Sequence, residues 1–290
     1  MSQKISHTAA FITVKFYGLT LFKPFKSLFS EKIIEFYGNI VQQLPKHLSW
    51  YYRTLKSKWW RRFFIWSEEL LLPGDLMHII GRKYYIIQEL DKAIEEGYKQ
   101  IVVLGSGFDH SAWYSSTKLC LSIEIDTELM ISEKKRFLDH GKYLNPNLHL
   151  LPIDVTKQSI TDILNDLEEY DPNKPTAFIA EGFFDYLTYD VAKDVLNQIR
   201  GLSSNARLIT TIFSLDELNI FYRSSFTSGV AMVGEAIKLP LNFQGFRDLL
   251  TETGFDKQSS VNYTDMEEKL FKPHGIKYSV LNGFYVLTAE

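Results

Sequence analysis

The stretch Gln100–Asp109, QIVVLGSGFD, decides how the rest of the chain is read. Four apolar residues, Ile101, Val102, Val103 and Leu104, run unbroken into Gly105-Ser106-Gly107. A short, β-branched, uninterrupted run predicts a strand buried on both faces inside a parallel sheet. The two glycines at its carboxyl end let the backbone turn sharply and approach a ligand with no Cβ in the way. Ligands of open α/β sheets sit just outside the carboxyl ends of the strands, so the turn points to a nucleotide-type cofactor. Alone, a Gly-x-Gly after a strand marks no more than a tight βα turn. The regular pattern around it carries the argument.

After Gly107 the chain alternates strand and helix. LCLSIEID (119–126), HLLPID (149–154), PTAFIAEG (175–182) and ARLITTIF (206–213) predict strands. Helices are expected between them over 127–140, 159–169 and 188–199. Repeated βα units with short connections imply a parallel sheet covered on both faces. Before the central strand, 75–97 predicts a helix capped at Asp75 and ended by Gly97. Residues 214–241 fit no unit and predict an insertion over the strand ends. A helix over 242–253 follows, and Asn282-Gly283 predicts a hairpin turn with a final antiparallel strand. The fold class expected is α/β, Rossmann-like, with a mostly parallel doubly wound sheet. Residues 1–73 form an N-terminal helical cap, and 74–290 the sheet domain.

The chain has 290 residues, enough for a full core, with 45% hydrophobic and 23% charged residues in an ordinary soluble balance. The aromatic share of 14% is high and suits an aromatic-lined pocket. A single cysteine, Cys120, excludes an internal disulfide, and the seven histidines show no metal-ligand spacing, so no metal is expected. No run reaches the roughly 20 apolar residues that span a bilayer, and no signal peptide is evident. The cytoplasm is the expected compartment.

Charge is distributed unevenly. Residues 1–66 hold eleven lysines and arginines against Glu31 and Glu35, a net of +9. With −3 overall, the remainder therefore carries −12. Glu31–Leu44 predicts an amphipathic helix with Ile33, Ile34, Tyr37, Ile40 and Val41 on one stripe. Trp50–Trp66, WYYRTLKSKWWRRFFIW, has five cations and no acid. Such a segment can cover the domain with its aromatics inward and cations outward, lie on an anionic membrane or a partner, or meet nucleic acid. The cover helix is the favoured reading. The acidic remainder disfavours a polyanion, so no nucleic-acid partner is expected.

Three carboxylates, Asp126, Asp154 and Glu181, end three consecutive strands after the glycine turn and share one sheet edge. An acid at the second strand's end can accept both hydroxyls of a ribose. One on the third can accept an exocyclic amine, and one on the fourth can hold an ammonium.

These residues carry a resemblance. VVLGSGFD (102–109) is similar to V-V-x-L-G-A-G-x-D, IEID (123–126) to E-V-D, and PIDVT (152–156) to a D-L segment of the leucine carboxyl methyltransferase family. PTAFIAEGFFDYL (175–187) resembles P-T-x-x-I-A-E-G-x-x-x-Y-L, the most specific match. The likeness spans about Leu76–Ile212, with a fainter echo at Ser6–Ala9. It implies a class I methyltransferase fold using S-adenosyl-L-methionine. Gly105, Ser106, Gly107 and Asp109 would then form the methionyl turn. Asp126 would hold the ribose, Asp154 the adenine with Val155 against the ring, and Glu181 the amino group. Arg82 in GRKYYI would pair with the cofactor carboxylate, which an arginine fork matches in bidentate fashion. The family usually continues D-T-R after the glycines, whereas Asp109 is followed by His110-Ser111, so an arginine is missing. His7 replaces a usual basic residue.

The implied activity is O-methylation of a carboxylate or hydroxyl on a small, apolar or aromatic acceptor. Methyl transfer from a sulfonium is an in-line displacement whose main demand is positioning. Tyr186 is the candidate facing the acceptor. A Rossmann-type NAD(P) oxidoreductase is the first alternative. It wants a third glycine where His110 stands, although Asp126 does fall 19 residues after Gly107. The second alternative is a non-catalytic, membrane-associated cofactor binder using its basic segment.

Overall fold

A computed structural model describes residues 6–46, 57–203, 205–232, 237–239 and 241–290. Seven strands form one sheet: β1 (Gln100–Leu104), β2 (Leu121–Asp126), β3 (Leu148–Pro152), β4 (Thr176–Ala180), β5 (Ala206–Phe213), β6 (Gln258–Asn262) and β7 (Phe284–Ala289). Their order is β3-β2-β1-β4-β5-β7-β6. β1 to β5 run parallel, and β7 lies antiparallel to both β5 and β6. The chain steps outward from β1 to β3, then returns to place β4 on the other side of β1. That reversal opens a crevice beyond the carboxyl ends of β1 and β4.

The helices are α1 (His7–Thr20), α2 (Lys23–Lys26), α3 (Glu31–Gln43), α4 (Lys58–Leu71), α5 (Asp75–Glu95), α6 (Ser111–Ser116), α7 (Glu128–His140), α8 (Ile160–Asn165), α9 (Tyr189–Leu202), α10 (Ile220–Met232) and α11 (Phe243–Glu252). Alternation along each strand assigns them to two faces. Ile101, Val103, Ile179 and Ile209 join one buried cluster with apolar residues of α1, α3 and α5. Val102, Leu104, Phe178 and Leu208 join another with residues of α9 and α11. Every residue of β1 and β5 is buried, as strands inside a sheet covered on both faces require. The stripe expected on α3 is buried, and Tyr37 packs on Phe16 with ring centroids 4.5 Å apart.

Several local expectations are corrected. Asp75 does not cap α5. Gly74, at φ +86°, precedes the helix, and Asp75 instead pairs with Lys15 at 2.8 Å. A Cβ at Gly74 would stand 2.2 Å from the Leu281 nitrogen, so this crossing demands glycine. β2 begins at Leu121 rather than Leu119, which has φ +61° at the turn after α6. Asn282-Gly283 turns the chain into β7 but joins no hairpin, because β7's antiparallel neighbours are the distant β5 and β6.

The cover-helix reading also fails over the described residues. Residues 50–56 of the basic aromatic segment lie outside them. In α4 only Ile65 is buried, while Trp59, Trp60, Phe63 and Trp66 are exposed. Among the described residues, no helix is long and apolar enough to cross a membrane.

Candidate functional site

β1 ends in a turn that glycine alone fits comfortably. Gly105 has φ +58° and Gly107 φ +45°, and a Cβ on Gly105 would come within 2.5 Å of the Phe183 ring. The turn is fastened to β2: Gly107 N–H donates to Asp126 Oδ2 at 2.8 Å, and Ser106 N–H to the Ile125 carbonyl at 3.3 Å. Over it opens a cavity of about 490 Å³ at the carboxyl ends of β1 to β4. Arg82, Gly105, Ser106, Gly107, Asp109, Asp126, Asp154, Val155, Glu181 and Tyr186 all line it. The wall opposite the sheet is α1 with its cap, through Ser6, Thr8, Ala9, Ile12 and Thr13.

The acids of the cavity fall into two environments. At one end Asp126 is held mainly by backbone, Oδ1 accepting Thr127 N–H at 2.7 Å and Oδ2 accepting Gly107 N–H, with the Thr127 side chain beside it. Burial pushes its carboxyl up despite those two bonds. A carboxylate has about four lone-pair sites, so roughly two stay available to a ligand. Asp154, two residues beyond β3, accepts Thr156 N–H and Thr156 Oγ1 on Oδ1, and Lys157 Nζ at 2.6 Å on Oδ2. Lys157 first, then Thr156, hold its carboxyl below the usual value.

At the other end the acids meet buried cations, unlike the exposed Lys157 beside Asp154. Lys83 Nζ donates to Asp109 Oδ2 at 2.6 Å and to Glu181 Oε2 at 2.8 Å. Arg82 Nε lies 2.9 Å from Glu181 Oε1. Asp109 Oδ1 accepts Ser111 N–H at 2.7 Å, and Tyr37 Oη sits 3.0 Å from His110 Nδ1. Burial alone would raise the Asp109 carboxyl, but Lys83 and then His110 overcome it and hold it well below the usual range. Burial likewise opposes the Lys83 ammonium, and Asp109 and Glu181 outweigh it, so this lysine stays charged.

Lys83 is the site residue that sequence reading missed. It follows Arg82 directly, inside the buried run IIGRKYYII, where a lysine needs a partner. It also supplies the cation beside Asp109 that the absent arginine would have led one to seek after the glycines. His110 is fully buried as the residue preceding α6 and does not line the cavity. Lys238, from the segment over the strand ends, was missed as well. Among the described residues no cluster of three or more His, Cys, Asp or Glu is arranged to hold a metal.

Known proteins agree with this architecture. A solved structure from Thermobifida fusca YX, called a "putative methyltransferase", is 16% identical and superimposes with a TM-score of 0.54 over 80% of this chain and 88% of that one. A DUF574 family protein from Streptomyces avermitilis MA-4680 is 12% identical, with a TM-score of 0.54 over 79% of this chain and 90% of its own. Both likenesses are of fold. A protein of Parafrankia sp. (strain EAN1pec), named "Putative S-adenosyl-L-methionine-dependent methyltransferase", is 30% identical over 133 residues, which make 44% of this chain and 41% of that protein. The match thus spans under half the length of that relative. The sequence model of leucine carboxyl methyltransferases matches residues 49–200, more than half of the chain, and the protein belongs to the leucine carboxyl methyltransferase family.

Proposed function

We propose that the protein is an S-adenosyl-L-methionine-dependent methyltransferase acting on an oxygen of a small, apolar or aromatic molecule. One observation carries the reading: the glycine turn, three strand-end acids and Arg82 line a single cavity. The residues suit the cofactor chemically. Asp126 keeps acceptor sites for a vicinal diol, and Val155 offers an apolar side to a base. Arg82 and Glu181, paired with each other at 2.9 Å, are a matched cation and anion for a zwitterionic amino-acid end. Thr8 Oγ1 is buried on the cavity wall without a hydrogen-bond partner among the described residues, an unmet donor and acceptor for a ligand.

The bound sulfonium would supply an activated methyl group, so the chain's task is positioning and exclusion of water. Gly105 and Gly107 allow close backbone approach. Asp109 acts through Lys83, which it fixes beside Glu181. α1 closes the cavity, and Ile12 and Tyr186 present apolar and aromatic surface to an acceptor. A carboxylate acceptor needs no general base, whereas a hydroxyl would benefit from one, for which Tyr186 is the candidate.

Calorimetric titration separates this reading from the nicotinamide alternative. S-adenosylmethionine and its demethylated product are expected to bind and to raise the melting temperature, and NAD and NADP to do neither. The reverse pattern would overturn the proposal.

A further inference from the structure

Helix α4 is amphipathic in the inverse sense to a helix that covers a core. Both of its acids turn inward: Glu68 Oε2 takes Lys15 at 3.2 Å, and Glu69 Oε2 accepts Gly74 N–H at 3.2 Å. Arg61 lies over the Phe22 ring, 4.8 Å from its centroid. Four of its five rings turn outward, Phe64 alone packing against the core. Trp59, Phe63, Trp66 and Leu70 recur at helical spacing and are 64%, 46%, 59% and 68% exposed. Trp59 and Phe63 stack within 4° of parallel, and Phe63 meets Trp66 at 5.9 Å, so the strip is continuous. Burial against water is what an apolar stripe is selected for, and a patch this contiguous marks an interaction surface.

The charges around the strip identify what it meets. Lys58 and Arg62 are exposed on the same helix, and α4 exposes no acid. Lys23 and Lys26 are exposed in α2, whose preceding residue Phe22 carries Arg61; Lys26 also lies 3.5 Å from the exposed Glu31, an ion pair that solvent screens. We propose that this face docks onto an anionic lipid bilayer, with the rings at the boundary between headgroups and acyl chains and the four cations among the headgroups. Tryptophan and phenylalanine beside lysine and arginine are the composition of interfacial helices. A symmetric pair of copies would set Lys58 and Arg62 against the same cations of the second chain, which Coulomb repulsion opposes. The −12 carried by the rest of the chain would be turned away from an anionic surface, fixing the orientation. The inference does not depend on the methyltransferase reading, and its test needs no activity.

The full chain is floated with vesicles of phosphatidylcholine containing phosphatidylglycerol, and with phosphatidylcholine alone. Binding is expected to the anionic vesicles and to be at least about tenfold weaker to the neutral ones. Tryptophan emission should shift to the blue and be quenched by brominated acyl chains. A Trp59→Ser/Phe63→Ser/Trp66→Ser variant should lose binding while keeping its melting temperature, because all three side chains face solvent. Lys58→Glu/Arg62→Glu should weaken binding by roughly tenfold or more. Absence of binding to anionic vesicles would overturn the proposal, as would binding undiminished in the triple variant. A dimer of the free chain that the triple variant dissociates, without vesicle binding, would assign the strip to a second copy instead.

Discussion

Asp109 and Glu181 at one end of the cavity and Asp126 at the other are held in opposite ways. Asp109 and Glu181 are buried and locked against Lys83 and Arg82, with each carboxylate oxygen in contact with a cation or a backbone N–H. Asp126 has no ion pair among the described residues and is held mainly by two backbone amides of the turns beside it. At the cationic end, the groups that would meet a ligand also hold α5 to the ends of β1 and β4. At the other end, the acid presents spare lone pairs and carries little of the fold. Binding and stability should therefore separate cleanly at Asp126 and be inseparable at Lys83.

Lys83→Met is the harshest test of that contrast. Removing the ammonium leaves Asp109 and Glu181 facing one another in a buried site, and breaking a buried pair costs about 3–5 kcal/mol. Chemical denaturation should show a loss of that size. A loss below about 1 kcal/mol would mean that water or Arg82 replaces the lysine, and that the two ends are alike after all.

Asp126→Ala should show the complementary pattern. Hydrogen bonds to a charged acceptor are worth about 1.5–3 kcal/mol, so cofactor affinity should fall about tenfold to 150-fold by calorimetry. Melting temperature should move only slightly, since the freed Gly107 and Thr127 amides lie at a solvent-reached rim. Asp154→Ala serves as the internal comparison. Its carboxylate is already occupied by Thr156 and Lys157, so its loss should weaken binding less than that of Asp126. Equal losses would remove the special place given to Asp126.

These contrasts were legible in the sequence only where they follow chain periodicity. β1 and β4 are short, almost wholly apolar runs, and a strand-end acid or glycine is placed by the strand before it. That is why Gly105, Asp126 and Glu181 could be read as neighbours. Lys83 could not, because its partners stand 26 and 98 residues away and a lysine on a helix ordinarily reads as solvent-facing. The same limit applies to α4. Its apolar stripe is plain in WWRRFFIW, but periodicity does not say which way a stripe points. Lys15, pairing with Glu68 and Asp75, turns the acids inward and the rings out. β6, QSSVN, was missed because an edge strand with polar residues on both faces carries no apolar signal.

Asp185 extends the comparison to a buried acid that has backbone support but no direct ion pair among the described residues. It is buried in the turn after β4, accepts Phe213 N–H at 3.2 Å, and has no ion-pair partner among the described residues. Burial pushes its carboxyl up to about 7, the opposite of Asp109 beside Lys83. In the unfolded chain it ionises near 3.8. Between these values the unfolded state gives up a proton that the folded state keeps, so stability falls as pH rises from about 4 to about 7. Above that window the folded protein bears the cost of a buried carboxylate that the Phe213 amide and the more distant Arg82 offset only in part. Asp185→Asn cannot ionise, and its amide oxygen can still accept from Phe213. The variant should be more stable than the parent by about 1–2 kcal/mol at pH 8, with the gap closing towards pH 4. Glu69, also raised to about 7, leaves a residual slope of the same sign in both proteins. Thermal melts across this range decide it: a gap that does not change with pH would mean that Asp185 titrates normally and that some cation reaches it in solution.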